Sequence, residues 1–185
     1  MRHNNLYTQQ GGTPMGMKGR EIVEKAGLDV DKLITMLNKA YCDEWLAYYQ
    51  YWIGARLAVG IPRDHLEREM KEHAGQELDH ADMLATRIIE LGGTPEIDPG
   101  NWKKLSSCGY LPPDNPTVNE LLEQNIQSER CAISVYIKIL DYVRGKDMIT
   151  GHIIRHIMQQ EVQHEQELED IRNDAETLCH CSDSK

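Results

Sequence analysis

The sequence has no apolar stretch long enough to cross a membrane. A membrane-spanning helix needs about 20 predominantly apolar residues, whereas the longest apolar patch, ISVYIKIL, is already interrupted by Lys138. The first residues, MRHNNLYTQQGGTPMG, also lack the apolar core of a secretion signal. We therefore expect a cytoplasmic protein that does not associate with membranes.

Basic residues are scarce. The chain has 20 Lys and Arg against 30 Asp and Glu, which gives a net charge of −10. Phosphate contacts require clustered Lys and Arg, and the basic residues near the N-terminus are partly neutralised by Glu21 and Glu24. The charge balance argues against DNA binding and favours cations over polyanions as ligands.

Phenylalanine is absent, so eight Tyr and three Trp supply the aromatic bulk. The chain has five cysteines, an odd number that is not typical of the disulfide framework of a secreted protein. Cys42 is interpreted as a packed thiol. Cys179 and Cys181 are interpreted as a reactive tail rather than a metal site.

Four segments carry an apolar stripe with the helical period of 3.6 residues. Their approximate bounds are 29–59, 61–91, 115–143 and 146–175. Pro62 is placed in a first helical turn, and Asn115 and Pro116 are predicted as N-cap and first residue of the third helix. Residues 1–28 are interpreted as a flexible N-terminal extension and residues 176–185 as a short C-terminal tail.

The connection between the second and third segments, residues 94–115, is much longer than the other two. A connection of this length reaches from one end of a bundle to the other, so helices two and three can lie parallel. The sequence therefore predicts an all-α fold, a four-helix bundle with one long crossover between helices two and three.

Polar residues recur at matching places in the two halves of the chain. Each half has a Glu, a Tyr seven residues later, and then a Glu-x-x-His motif in its second helix. The residues are Glu44, Tyr51, Glu77 and His80 in the first half, and Glu129, Tyr136, Glu161 and His164 in the second. Either Glu-x-x-His motif alone is typical of an exposed helix face, but all four glutamates lie on the inward stripes of their helices.

Buried carboxylates are costly unless they are paired or bound to metal. No Lys or Arg occupies the inward stripes at the level of these glutamates. Four carboxylates and two neutral imidazoles carry a charge of −4, which two divalent cations neutralise. The pattern therefore predicts a dinuclear metal site. Its oxygen-rich ligands and two imidazoles favour iron over zinc, with manganese as the alternative.

Further residues are candidates for supporting roles. Tyr51 and Tyr136 are interpreted either as hydrogen-bond donors to the glutamates across the bundle or as core aromatics. Gln76 and Gln160 each precede a motif glutamate and are candidates to accept the distal N–H of the opposing histidine. His73, one turn before Glu77, is either a core histidine or part of the metal approach.

Over residues 29–175 this pattern resembles the ferritin-like superfamily, with a bacterioferritin-type di-iron centre inside one subunit. The chain is most similar to the Dps-like proteins called thioferritins, which place a cysteine pair beside that centre and assemble as hollow dodecamers. The resemblance implies a redox pair, disulfide or dithiol, between Cys108 and Cys131. Two unrelated thiols are the alternative.

The resemblance also implies a function. It suggests a ferroxidase and peroxidase that oxidises Fe(II) with hydrogen peroxide, stores iron in the shell and protects against oxidative stress. Glu77 and Glu161 would bridge two irons, and the other four motif residues would be terminal ligands: Glu44, His80, Glu129 and His164.

Differences between this sequence and related families bear on haem binding and on the number of subunits. Leu78 stands where bacterioferritins carry their haem-ligating methionine, so haem is not expected. The lack of a fifth long helix favours twelve subunits over twenty-four. A manganese catalase, a rubrerythrin-like peroxidase without storage, and a DNA-coating nucleoid protein remain the alternatives.

Overall fold

A computed structural model of the protein describes residues 17–182, with side chains from 18 to 177. The described residues form six α-helices and no β-strand. The helices are α1 (Met17–Lys25), α2 (Val30–Leu57), α3 (Arg63–Glu90), α4 (Trp102–Leu105), α5 (Val118–Val143) and α6 (Met148–Ser182). None of the helices in this part of the chain is long and apolar enough to span a membrane.

The long helices pack as two pairs, α2 with α3 and α5 with α6. Short connections join the helices within each pair. The crossover between α3 and α5 contains a short 3-10 helix, Pro99–Asn101, followed by α4, which packs on α2. This arrangement confirms the predicted four-helix bundle with one long crossover.

The core of the bundle is divided into two apolar clusters. One contains Leu33, Leu37, Leu84, Ile88 and Ile157 among its members, and the other is built around residues of the opposite half of each long helix. Along every long helix, the Glu and His residues predicted as ligands lie between the segments that contribute to the two clusters. The apolar clusters therefore enclose a polar layer in the middle of the bundle.

Helix ends depart from the prediction where distant contacts intervene. Helix α5 begins at Val118 with Thr117 as its N-cap, instead of at Asn115 and Pro116. The reason is a backbone bridge, in which Val59 N donates to Pro116 O at 2.9 Å and Val118 N donates to Val59 O at 3.0 Å. This bridge holds the residues before α5 extended, so the helix starts later. Pro62 is the N-cap residue of α3 rather than part of its first turn.

The segment predicted as a flexible N-terminal extension contains a helix, α1, which corrects that prediction for residues 17–25. Val23 and Leu28 are buried in the first apolar cluster. Arg20 is ion-paired with Glu24 and with Asp31, the latter at 2.8 Å. The C-terminal helix also continues beyond Ala175 to Ser182, into the predicted tail. The side chains of Cys179 and Cys181 lie outside the described residues, so the prediction for them stays a prediction.

A buried ion pair fastens the end of α3 to the start of α6. Arg87 donates from Nη2 to Asp147 Oδ2 at 2.9 Å and from Nε to Thr150 Oγ1 at 2.8 Å. The Arg87 and Asp147 side chains are each only 2% exposed. Burial alone would raise the pKa of Asp147, but hydrogen bonds from Thr150 and the charge of Arg87 outweigh it and lower that pKa.

Replacing Asp147 with Asn should destabilise the fold by about 3–5 kcal/mol, because Arg87 would remain buried without its counter-charge. The Asp147 pKa is lower in the folded state, so the pair stabilises fully above the ordinary carboxyl pKa of 3.8. This stability is lost as pH falls further through the folded pKa. Urea unfolding at several pH values measures both effects. Glu90→Gln removes the exposed partner of Arg87 and should change stability by less than about 1 kcal/mol; an equal loss in the two variants would contradict this account.

Candidate metal centre

The structure brings all six predicted ligands together in the polar layer. Helix α2 contributes Glu44, α5 contributes Glu129, and α3 and α6 each contribute a Glu and a His of the repeated motif. Each of the six residues is at most 2% exposed. A Glu and a His three residues apart lie on the same side of a helix, which is why each motif presents both side chains to the centre.

The six residues form two groups that share members. One group is Glu44, Glu77, His80 and Glu161, and the other is Glu77, Glu129, Glu161 and His164. Within each group the ligand atoms lie within 4.8 Å of one another. Because Glu77 and Glu161 belong to both groups, the arrangement offers two adjacent cation positions with two carboxylates between them.

The two histidines have equivalent surroundings. His80 Nδ1 lies 3.1 Å from Glu77 Oε2 and 3.1 Å from Glu161 Oε1. His164 Nδ1 lies 3.3 Å from Glu77 Oε1 and 3.3 Å from Glu161 Oε2. Each imidazole therefore faces one oxygen of each shared carboxylate, as the duplication in the sequence predicts.

The tyrosines cross the bundle between the two halves. The Tyr51 hydroxyl donates a hydrogen bond to Glu129 Oε1, and the Tyr136 hydroxyl donates one to Glu44 Oε1. Both tyrosines are also buried in the apolar clusters, so each side chain is both a core aromatic and a donor. One oxygen of each glutamate is thereby held, and Glu44 Oε2 is left directed at the centre.

The glutamines fix the orientation of the histidines. His80 Nε2 lies 3.0 Å from Gln160 Oε1, and His164 Nε2 contacts Gln76 Oε1. An amide oxygen only accepts hydrogen bonds, so Nε2 carries a proton and Nδ1 is the nitrogen left for a metal ion. This is the tautomer that a metal ligand requires when Nδ1 faces the ion.

The donor set fits two divalent cations. Several buried atoms that face the centre have no hydrogen-bond partner among the described residues: Glu44 Oε2, Glu77 Oε1, both carboxylate oxygens of Glu161, and His164 Nδ1. Orphaned buried polar atoms are costly and call for a partner. Oxygen-rich ligands with two imidazoles suit iron or manganese.

The pKa values report the same shortage of positive charge. Burial and the negative charges of Glu161 and Glu77 raise the pKa of Glu44 well above its ordinary value. Burial would lower the pKa of His164, but the facing carboxylates of Glu129, Glu161 and Glu77 raise it to about 12. The buried cation Arg87 does not relieve this shortage, since it is engaged with Asp147.

The cysteine pair lies at the edge of this centre. Cys108 in the crossover and Cys131 on α5 form a disulfide with a Cα–Cα distance of 5.7 Å. A small cavity is lined by Glu44 and Glu129 and also by Cys108 and Gly109. Cys42, in contrast, is a buried free thiol, and burial raises its pKa to about 12, as expected for a packed cysteine.

Asp43 is a site residue that the sequence analysis missed. Its Oδ1 accepts hydrogen bonds from the backbone N–H of Ser107 at 2.8 Å and of Cys108 at 2.9 Å, and from the Ser106 hydroxyl at 2.5 Å. Its other oxygen is buried without a partner in the described chain. Asp43 holds the crossover loop against α2 and so positions Cys108. Its place beside Glu44 was the only signal in the sequence.

The ferritin-like domain family matches residues 34–178 of the chain. The protein belongs to the ferritin-like family. This match covers all six residues of the candidate metal centre and confirms the family resemblance predicted from the sequence.

Two relatives are similar over most of their length. The chain is 34% identical to the DNA protection during starvation protein of Pyrococcus furiosus over 154 residues, which are 82% of this chain and 83% of the relative. It is 42% identical to a solved structure from Bacteroides fragilis, described as a dodecameric thioferritin and bacterioferritin-related protein. That structure has a TM-score of 0.87, covering 89% of this chain and 98% of the other.

Bacterioferritins are more distant relatives. The bacterioferritin of Rhodobacter capsulatus is 28% identical over 134 residues, which are 72% of this chain and 78% of the relative. The similarity to both groups agrees with the resemblance drawn from the sequence: Dps-like proteins on one side and bacterioferritins on the other.

Reducing the disulfide between Cys108 and Cys131 should lower the free energy of unfolding by about 3 kcal/mol, because the bond closes a 23-residue loop. The wild type should show this loss in urea unfolding with reductant. The variant with both cysteines replaced by Ser should be destabilised without reductant and insensitive to its addition. A wild type whose stability ignores reductant would contradict the prediction.

Proposed function

We propose that the protein is a ferroxidase and peroxidase that oxidises Fe(II) with hydrogen peroxide and stores the product. The observation that supports the proposal is the sharing of Glu77 and Glu161 by two groups of potential ligands. Two Fe(II) substrates bound to these groups would lie side by side. Two adjacent irons supply the two electrons that peroxide reduction needs. Two Fe(II), one hydrogen peroxide and two protons give two Fe(III) and two water molecules, so no one-electron oxygen radical is released.

The residues have separable tasks in this proposal. Glu77 and Glu161, which belong to both groups, would hold both ions. Glu44 and His80 would hold one ion, and Glu129 and His164 would hold the other. Tyr51 and Tyr136 hold the terminal glutamates from across the bundle. The flanking apolar clusters limit water at the centre, where a low dielectric strengthens electrostatic interactions. Manganese in place of iron is the alternative occupant.

The small cavity supports a role for the disulfide near the candidate metal centre. It is lined by carboxylates of that centre and by Cys108, whose loop is anchored by Asp43. We infer that Cys108 and Cys131 form a redox pair. An external dithiol that reduces this disulfide to two thiols, and is itself oxidised to a disulfide, would loosen the crossover beside the cavity. The nearby oxidant is hydrogen peroxide, which re-forms the disulfide from two thiols and yields two water molecules.

Storage in a hollow shell of twelve subunits is part of the same proposal. Its support is the Bacteroides fragilis relative, which is described as dodecameric and covers nearly all of the present fold. A cytoplasmic location and protection against oxidative stress accompany this assignment. No haem is included, because Leu78 replaces the methionine expected of a haem ligand.

Glu161→Gln tests the centre with almost no change in side-chain volume. Loss of a shared carboxylate should weaken Fe(II) binding by about 10–100-fold or more and slow oxidation accordingly. Anaerobic Fe(II) titration followed by hydrogen peroxide measures both quantities. Glu176→Gln is the matched control, since Glu176 is exposed on the same helix α6. If wild type and Glu161→Gln bind two ions per subunit and oxidise them equally, the proposed centre is wrong.

The alternative functions predict different results in assays of the same purified protein. A manganese catalase or a peroxidase without storage would consume peroxide in the absence of added Fe(II) and accumulate no ferric mineral. A DNA-coating protein would shift DNA on a gel with strong salt dependence, which the net charge of −10 argues against.

A further inference from the structure

A second group of metal-binding side chains lies beside the dinuclear centre. Its members are Glu69 and His73 on α3 and Glu167 on α6, whose ligand atoms lie within 4.8 Å of one another. His73 Nε2 is 3.0 Å from Glu167 Oε2 and 3.7 Å from Glu69 Oε1. His73 precedes Glu77 by one helical turn, and Glu167 follows His164 by three residues, so the group continues the same two helix faces.

His73 is held firmly in this orientation. It is only 1% exposed, and its ring stacks on that of His164 with centroids 4.0 Å apart and planes at 21°. The ring of Tyr51 meets it edge-on at 5.2 Å. A ring confined on two sides cannot swing away, so Nε2 stays directed at the two carboxylates.

The two carboxylates carry negative charge that the described residues do not neutralise. Neither Glu69 nor Glu167 is ion-paired with a Lys or Arg of the described chain. Glu167 Oε1 accepts a hydrogen bond from Gln163 at 2.7 Å, and His65 Nε2 lies 3.9 Å from Glu69 Oε2. The side chains of Glu69 and Glu167 are 18% and 33% exposed. The group is therefore open to solvent at the carboxylates and closed by His164 at its other end.

We infer that Glu69, His73 and Glu167 form a third cation site, which binds iron in transit between solvent and the dinuclear centre. The inference rests on the proposed function. Two carboxylates and an imidazole suit Fe(II) and Mn(II), and three protein ligands leave positions for water. The stacked rings of His73 and His164 place this site directly beside the second position of the dinuclear centre.

The third site should bind more weakly than the other two. His80 and His164 each have a glutamine that accepts their second N–H, whereas His73 Nδ1 is buried and has no partner within the described residues. An ion bound at Nε2 would leave the proton on that unsupported nitrogen. The lack of a hydrogen-bond partner for the second histidine nitrogen weakens metal binding by about 10–100-fold. Weak binding suits an ion that has to leave again.

The test uses the assembled protein and the double variant Glu69→Gln with Glu167→Gln. Anomalous diffraction from crystals soaked in Mn(II) locates the bound ions. Anaerobic Fe(II) titration counts the ions bound per subunit. Wild type should hold two ions tightly and a third one weakly at His73. The double variant should keep the first two and lose the third. Its first two irons should be oxidised at the wild-type rate, while oxidation of later additions slows several-fold.

Glu72→Gln is the matched control, because Glu72 is exposed on α3 and its charge acts on Glu69. This variant should keep the third ion and the wild-type rate of later additions. The inference fails if wild type shows no ion at His73, if the double variant retains it, or if Glu72→Gln loses it equally. An ion at His73 without ions at Glu77 and Glu161 would support the third site but contradict the proposed function.

Discussion

Repulsion among four buried carboxylates is the constraint on which this bundle depends. Ionised groups are costly away from water, and Glu44, Glu77, Glu129 and Glu161 meet in a layer with no buried Lys or Arg from the described chain beside them. The histidines show the consequence, since the surrounding carboxylates raise the pKa of both imidazoles. Two apolar clusters flank the layer and limit its contact with water. In the proposed function, a pair of cations neutralises this charge.

The ligands could be predicted from the sequence because they violate the helical pattern in a repeated way. A Glu or His on an inward stripe contradicts the apolar period, and the same contradictions occur in both halves. The bundle topology was equally accessible, since the long crossover between two short connections restricts the arrangement of four helices. The structure places the six side chains together; their role as metal ligands stays a proposal.

Features that depend on distant contacts could not be predicted in the same way. The N-cap of α5 is Thr117 because Pro116 pairs with Val59, far away along the chain. Helix α1 is short and is stabilised by burial of Val23 against the bundle, which no local periodicity reveals. Asp43 acquires its partners only when the crossover folds back onto α2. The pairing of Cys108 with Cys131 came from family resemblance, because spacing alone does not tell which of five cysteines meet.

The reciprocal support of the histidines has a mechanical consequence. Gln76 of α3 contacts His164 of α6, and Gln160 of α6 contacts His80 of α3. Sliding one of these helices by a single turn, about 5.4 Å, would break both contacts and misalign both shared carboxylates. Apolar side chains tolerate such slippage far better, because a leucine stripe offers similar neighbours one turn away. The polar layer therefore sets the axial alignment of these helices, which their apolar faces specify only loosely.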